Sequence, residues 1–568
     1  MKKRWVVKGF DQGIAKHLND VLKIHPVLCQ LLAQRSIATF SEAKDFFRPE
    51  WKHLHDPFLM KDMDKAIARI QSAMQQKEKI LIYGDYDVDG TTSVATVYTF
   101  LKKYYNDLNY YLPDRYIEGY GISHQGIDWA KANGFQLIIA LDCGIKAMDK
   151  IEYANNLGID FIICDHHLPG EEIPAAVAVL DPKRVDCDYP YKELSGCGIG
   201  FKLMQAFALT HSIPEAELHS LLDLVVISIA SDIVPITGEN RVLAFLGLQQ
   251  LNNNPREGVK ALIKASNAKR ELNISDIVFI LGPRLNAAGR MDDARNAVKL
   301  LISETSTQAE NNADTLNEKN KARKEVDESI TNEALQMLND DSEQEKKSTV
   351  LFQPHWHKGV IGIVASRMLD HYYRPTIILT ESNGVAAGSA RSVAGYDIYN
   401  AIKSCSDLLE QFGGHMFAAG LTLKKENVEA FKQRFEEVVS QSIDERMLVP
   451  EITIDAEISP ADISNRFYDV LKQFAPFGPH NMKPVFVSKR MVDTGHSRIV
   501  GVNHLKLSLM KTDTPYRLNG IAFSGDQYFD LVKSKVPIDI CYTLEENEWN
   551  NIKTIEMNVR DIIASEPI

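Results

Sequence analysis

The chain has 568 residues, 45% hydrophobic and 25% charged, which excludes a disordered or fibrous protein and implies roughly three to four domains. Its formal net charge of −12 argues against a surface that coats nucleic acid non-specifically, yet leaves room for one segregated basic groove. No apolar run is long enough to cross a bilayer, and the basic start lacks the apolar stretch of a signal peptide, so no membrane association is expected. Seven cysteines stand singly with no Cys-x-x-Cys pair, which indicates neither a zinc ribbon nor a disulfide framework and points to a reducing cytoplasm.

Residues 1–70 read as a helical segment with few motifs. Over 71–240 the pattern alternates: apolar runs at 79–83, 137–141, 161–164 and 177–180 predict buried strands, and 91–105 and 146–157 predict helices between them. Such alternation predicts a parallel sheet with helices on both faces, with the ligand site at the carboxyl ends of the strands. Residues 241–347 are helical. They contain Gly-Pro-Arg-Leu-Asn-Ala-Ala-Gly-Arg at 282–290, then a charged stretch, 303–347, without Gly or Pro. That stretch reads either as a disordered linker or as a helix. Leu316, Val326, Ile330, Ala334 and Leu338 recur at helical intervals and favour a long exposed helix joining two lobes. A second α/β lobe is predicted over 348–445, with strands at 350–352 and 375–379 around a helix at 359–371. From 450 to 568, short strands with turn signals predict a small β-barrel.

Each predicted strand of the first lobe ends in a polar cluster. Asp85, Asp87 and Asp89 follow the first, with no basic residue among them. Like charges so close repel unless one is neutralised or cations sit between them. Oxygen ligands suit magnesium or manganese, although a solvated acidic turn is equally open for this run alone. Asp142 ends the second strand, Asp165-His166-His167 the third and Asp181-Pro182 the fourth; Asp232 follows a further apolar run. An Asp after a strand is usually a helix N-cap. Several such clusters at equivalent topological positions instead favour a hydrolytic centre holding two ions about 3.5–4 Å apart.

The runs Asp85-Tyr86-Asp87-Val88-Asp89-Gly90, Leu141-Asp142-Cys143-Gly144, Asp165-His166-His167 and Ser231-Asp232-Ile233-Val234-Pro235 resemble the four motifs of the DHH phosphoesterase superfamily. The 282–290 segment, His357-Lys358-Gly359-Val360-Ile361-Gly362, Gly388-Ser389-Ala390-Arg391-Ser392 and Gly413-Gly414-His415 narrow the resemblance to the bacterial RecJ single-stranded-DNA exonucleases. The resemblance covers nearly the whole chain. It implies an α/β fold with a parallel-sheet DHH catalytic lobe, a long connecting helix, a second α/β lobe and a C-terminal oligonucleotide-binding barrel. It implies 5′→3′ hydrolysis of single-stranded DNA to mononucleotides with two manganese or magnesium ions, in recombination and repair.

Carried over by motif, Asp85, Asp87, Asp89, Asp142, His166 and Asp232 would be metal ligands, with Asp142 the bridge. Which of the first three binds directly stays open. His167 would serve acid–base chemistry near the leaving oxygen, and Asp165 would orient an imidazole. Arg115, Arg284 and Arg290, with Ser389, Arg391 and His415, would hold phosphates, the last three facing the metals across a cleft. Partners implied are single-stranded DNA, a RecQ-type helicase and a single-strand-binding protein, with the enzyme itself a cytoplasmic monomer. Other DHH phosphoesterases are typically built from the two lobes alone, so residues 450–568 argue against them. Intact motifs argue against a scaffold that only binds DNA.

The predicted barrel carries Lys483, Lys489, Arg490, Arg498, Lys506, Lys511 and Arg517 against Asp493 and Asp513, a local net charge of +5, with Phe486 and Tyr516 interspersed. This reads either as a solvated face over core aromatics or as a basic groove with stacking platforms for a single strand. The resemblance favours the groove.

Overall fold

The computed structural model describes residues 3–268, 270–291, 293–338, 345–512, 514–549 and 552–566. Asp513 therefore lies outside the described residues, as do 339–344 of the charged stretch. The chain forms two compact units. The larger comprises Trp5–Gly282, Leu301–Glu304 and Ile452–Ile568; the smaller comprises Met1–Arg4, Pro283–Leu300 and Thr305–Glu451.

In the larger unit a five-stranded sheet runs in the order Leu108–Tyr111, Lys79–Gly84, Phe135–Leu141, Asp160–Cys164, Ala178–Leu180. Every pairing is parallel, as the strand–helix alternation predicts. The central strands are apolar along their length because helices cover both faces. Leu81, Tyr83, Ile138, Ala140, Phe161 and Ile163 pack with Ile127, Ala130, Ile151 and Ala154 of two helices on one face. On the other, Gly200 of the Gly196–Thr210 helix lies against Val97 and Leu141. The edge strand Leu108–Tyr111 was not predicted; it is four residues long and only partly buried, so it shows no apolar run. The first helix spans Val88–Leu101 rather than 91–105, because the Asp87 side chain accepts from the Gly90 N–H and caps it three residues early.

The C-terminal strands close a five-stranded barrel. Phe486–Asp493 pairs with His504–Lys511, then Arg517–Ala522, Ile552–Ala564 and Ile538–Trp549, which returns to Phe486–Asp493. Only the Arg517–Ala522 pairing with Ile552–Ala564 is parallel. This is the strand order of an oligonucleotide-binding fold. Phe486 is fully buried in the barrel core, so its predicted role as a stacking platform is corrected; Tyr516 is half exposed. Apolar residues alternating inward explain the difference, since Phe486 lies on the core face with Met491, Leu505, Leu507 and Tyr542. Leu18, Leu28, Leu31 and Leu32 of the N-terminal helices belong to the same core.

The smaller unit holds a sheet in the order Gln411–His415, Ala418–Leu423, Val385–Arg391, Thr376–Ser382, Thr349–Phe352, parallel only at the last pair. The charged stretch does form a long helix, Ser306–Met337, but it is not an exposed rod. Ile330, Ala334 and Leu338 pack against Ile361, Val364, Ala365 and Met368 of the Ile361–His371 helix. The apolar stripe that revealed the helix is also what buries it.

Candidate metal centre and phosphate-binding residues

The carboxyl ends of three adjacent parallel strands bring the predicted ligands together. Asp142, just past Phe135–Leu141, has φ 60° and donates its N–H to the Cys164 carbonyl at 2.8 Å, extending the ladder by one residue. Asp165-His166-His167 follows Asp160–Cys164. Asp232 ends the Leu222–Ser231 helix. His166 Nε2 stands 3.2 Å from Asp142 Oδ1, 3.6 Å from Asp232 Oδ2 and 3.7 Å from Asp89 Oδ2. Three carboxylates thus converge on one imidazole nitrogen in a nearly dry place.

Asp89 is held from behind. Its Oδ2 accepts from the Gly196 N–H at 2.7 Å, and its Oδ1 from the Cys197 N–H at 2.9 Å and the Ser228 hydroxyl at 2.7 Å. The first two donors belong to the N-terminus of the Gly196–Thr210 helix, whose dipole favours the negative charge. Asp85 accepts from the Gly121 N–H at 3.3 Å through Oδ1. Its buried Oδ2, Asp142 Oδ1 and both ring nitrogens of His166 have no hydrogen-bond partner among the described residues. Buried polar atoms are normally satisfied, and a group of orphans in one spot fits a cation.

Electrostatics agree. Burial first, and neighbouring carboxylates second, push Asp85, Asp87, Asp142 and Asp232 above the usual carboxylate range. Divalent cations are what would keep so many carboxylates ionised together. Burial likewise lowers His166 and favours the neutral imidazole that a metal requires. Two donor sets have atoms within 4.8 Å of one another: Asp89, His166, Asp232 and Asp142, His166, His167. The two sets overlap at His166.

His167 is supported differently. Its Nδ1 lies 2.7 Å from Asp165 Oδ1, and Asp165 also accepts N–H groups from Ile145, His166 and His167. Burial would raise Asp165, but His167 and these backbone donors pull it down to about 2. Burial would lower His167, but Asp165 outweighs it and raises the imidazole. The imidazole that Asp165 holds through its side chain is therefore that of His167. Tyr120, to which the sequence pointed in no way, hydrogen-bonds His167 Nε2. Ser228 and the backbone of Gly196 and Cys197 were missed as well; a Ser-Gly-Cys-Gly run at a helix start was the only signal for the last two, and nothing in the sequence pointed to Ser228.

Arg115 is half buried in this unit and stacks over the Tyr86 ring, 5.0 Å from its centre, beside Asp85. The other phosphate candidates lie in the smaller unit. Ser389 and Arg391 are on one strand and His415 on another, both flanking Ala418–Leu423. Arg391 and His415 share the Ala418 level, and Ser389 and Gly413 share the Gly420 level. Both motifs lie on strands, Val385–Arg391 and Gln411–His415. Arg391 donates to Ser389 Oγ at 3.0 Å and to the Ala390 carbonyl at 2.7 Å. A Cβ on Gly362, at the start of the Ile361–His371 helix, would stand 2.9 Å from Ser389 Oγ and 3.1 Å from an Arg391 guanidinium nitrogen. Glycine there lets a helix N-terminus reach a serine and an arginine, a set suited to an anion. His415 is exposed, its Nδ1 accepting from the Phe417 N–H at 3.3 Å. Arg290 donates to the Gly359 carbonyl at 3.2 Å, and Arg284 to Asn317 Oδ1 at 3.0 Å.

Fold and site define a DHH protein. The DHH family N-terminal domain matches residues 79–229, the DHHA1 domain 345–441 and the RecJ OB domain 454–561. The single-stranded-DNA-specific exonuclease RecJ of Bacillus subtilis is 38% identical over 571 residues, covering 100% of this chain and 71% of the relative. That of Escherichia coli is 32% identical, covering 95% of this chain and 96% of the relative. The crystal structure of Thermus thermophilus RecJ in complex with Mn2+ matches with a TM-score of 0.85 at 25% identity, over 100% of this chain and 80% of that one. The chain belongs to the RecJ family of single-stranded-DNA-specific exonucleases.

Proposed function

We propose that this chain is a metal-dependent 5′→3′ exonuclease that degrades single-stranded DNA to 5′-mononucleotides in recombination and repair. The carrying observation is the convergence of Asp89, Asp142 and Asp232 on an unpartnered His166 Nε2. Asp89, Asp142, His166 and Asp232 would hold one manganese or magnesium ion; Asp85 and Asp87, whose carboxyls neighbour this group, are the candidates for a second beside Asp142. Such ions supply an activated water and charge stabilisation for phosphodiester hydrolysis. The protein's own part is positional. Asp165 keeps the His167 imidazole oriented, so that its second nitrogen can serve the leaving oxygen.

Arg115, Arg284, Arg290, Ser389, Arg391 and His415 would contact phosphates, the Ser389–Arg391–Gly362 set being the best built of them. On the barrel, Arg498, Lys506 and Arg517 lie on the outer side of neighbouring strands, with Arg498 opposite Lys506. Lys483 and Lys489 are paired with Glu545 and Glu457. The unneutralised outer face would track the strand. The sequence division into 1–70, 71–240, 241–347, 348–445 and 450–568 is retained as the proposed domain plan. Among the described residues no helix is long and apolar enough to cross a membrane. A cytoplasmic monomer working with a RecQ-type helicase and a single-strand-binding protein is the proposed setting.

Digestion of end-labelled single and double strands, with and without manganese, tests the reading. Release of 5′-mononucleotides from single strands only, and only with metal, is expected; metal-independent cleavage or equal attack on duplex would overturn it.

A further inference from the structure

Tyr120 is a residue for which neither motif nor charge pattern gives a role. It lies between Gly119 and Gly121, in the loop after Leu108–Tyr111. Its hydroxyl donates to the carbonyl oxygen of Asp142 at 3.2 Å and lies 3.2 Å from His167 Nε2. The two rings meet edge to face, 6.0 Å between centres. The same loop is tied to the first strand end, since the Gly121 N–H bonds Asp85 and the Gly121 carbonyl accepts the Tyr83 hydroxyl at 3.0 Å. One phenol therefore touches the peptide of the central carboxylate and the far nitrogen of the imidazole that Asp165 holds from the other side.

Hydrogen-bond accounting makes this arrangement directional. A tyrosine hydroxyl has a single hydrogen, and the Asp142 carbonyl, which can only accept, takes it. With its hydrogen on that carbonyl, the phenol oxygen can accept from a protonated Nε2. The Asp165 carboxylate, also only an acceptor, faces Nδ1. The His167 ring is clamped at both nitrogens, in one orientation, at a fixed place relative to Asp142. Without the phenol, Nδ1 alone would hold it, and the ring could swing about that bond.

We infer that Tyr120 is a positioning residue for the nuclease reaction: it holds His167 Nε2 in register with Asp142, so that the imidazole meets the 3′ oxygen leaving the scissile phosphate. The inference rests on the reading of His167 as the group serving the leaving oxygen. In that step the P–O3′ bond breaks as a hydroxide oxygen bonds to phosphorus, and the departing O3′ takes the Nε2 proton, which leaves its hydrogen bond to the phenol oxygen as the imidazole becomes neutral.

The test compares two single-stranded substrates with the full-length, manganese-loaded protein. One is ordinary DNA. The other carries a bridging 3′-sulfur at the first linkage, whose thiolate departs without needing a proton. Tyr120→Phe keeps the ring and loses only the hydroxyl. On ordinary DNA its kcat should fall about tenfold, the worth of one hydrogen bond at a reacting group, with KM within about twofold. On the sulfur-linked strand its kcat should be within about twofold of the parent. Equal loss on both substrates, or no loss on either, overturns the role of Tyr120. His167→Ala run in parallel separates the two levels. Its larger defect should likewise shrink on the sulfur-linked strand; if it does not, the reading of His167 falls, and this inference with it.

Discussion

A Cβ placed on Gly196 would stand 2.7 Å from the Asp142 Cβ and 2.8 Å from its Oδ1. The start of the Gly196–Thr210 helix can approach the central carboxylate only because no side chain intervenes, and from that position its Gly196 N–H binds Asp89. One backbone atom pair thus spaces two of the proposed ligands. Gly196→Ala should displace either the helix or Asp142. We expect nuclease activity to fall by about a hundredfold, the scale for disturbing a group that supports a metal ligand, while the far-ultraviolet circular dichroism is unchanged. Parental activity in this variant would refute the spacing role.

Asp142→Asn should abolish cleavage, by about a hundredfold or more, and should not unfold the protein. Removing one charge from a buried group of carboxylates should instead raise the thermal midpoint of chelator-treated protein. With manganese present the order should reverse, since the parent alone gains the full binding energy. Calorimetry of both proteins in both conditions decides this.

Asp181, near Asp165 and His167 but not among the proposed ligands, offers a pH signature. Burial pushes its carboxyl up to about 7, its Oδ1 accepts from the Lys183 N–H at 2.7 Å, and its Oδ2 has no partner among the described residues. The folded value lies above the ordinary 3.8, so the folded state holds a proton that the unfolded chain releases. That contribution to stability is complete below 3.8 and is lost as pH rises through 7. Asp181→Asn cannot titrate. Its thermal midpoint should therefore gain on the parent's between about pH 5 and about pH 8; a constant difference across that range would contradict the assignment.

Binding of long single strands should weaken with salt as counterions are released. The double variant Lys506→Ala with Arg517→Ala should shrink the slope of log affinity against log salt by about 1.4, two phosphate contacts on a single strand. Both side chains are exposed, so stability should not change. Deleting residues 450–568 is a poorer probe, because the barrel shares its core with Leu18, Leu28, Leu31 and Leu32 of the N-terminal helices.

Arg391→Ala should raise KM for 5′-phosphorylated strands about tenfold or more, the worth of a charge-assisted hydrogen bond. Arg391→Lys should not restore it. An ammonium holding Ser389 and the Ala390 carbonyl would keep one donor and no planar fork for a phosphate. Steady-state kinetics on strands with and without the terminal phosphate measure the effect.

Local pattern in the chain is enough to specify the architecture and to single out the candidate metal ligands. Apolar runs of strand length alternating with helical periods specify a parallel sheet, and such a sheet can gather side chains only at its carboxyl ends. Asp85, Asp142, Asp165 and His166 were legible for that reason. The barrel was legible through its short strands, and the Ser306–Met337 helix through its stripe. Tertiary structure alone decided which partner each polar group meets. Spacing along the chain carries no record of Gly196 donating to Asp89, 107 residues away, or of Tyr120 reaching both His167 and the Asp142 carbonyl. The same holds for burial: Phe486 and the stripe of Ser306–Met337 face a core because of what packs opposite them. Local pattern records which face of an element is apolar. What that face and its polar neighbours touch is set by packing between segments distant in sequence.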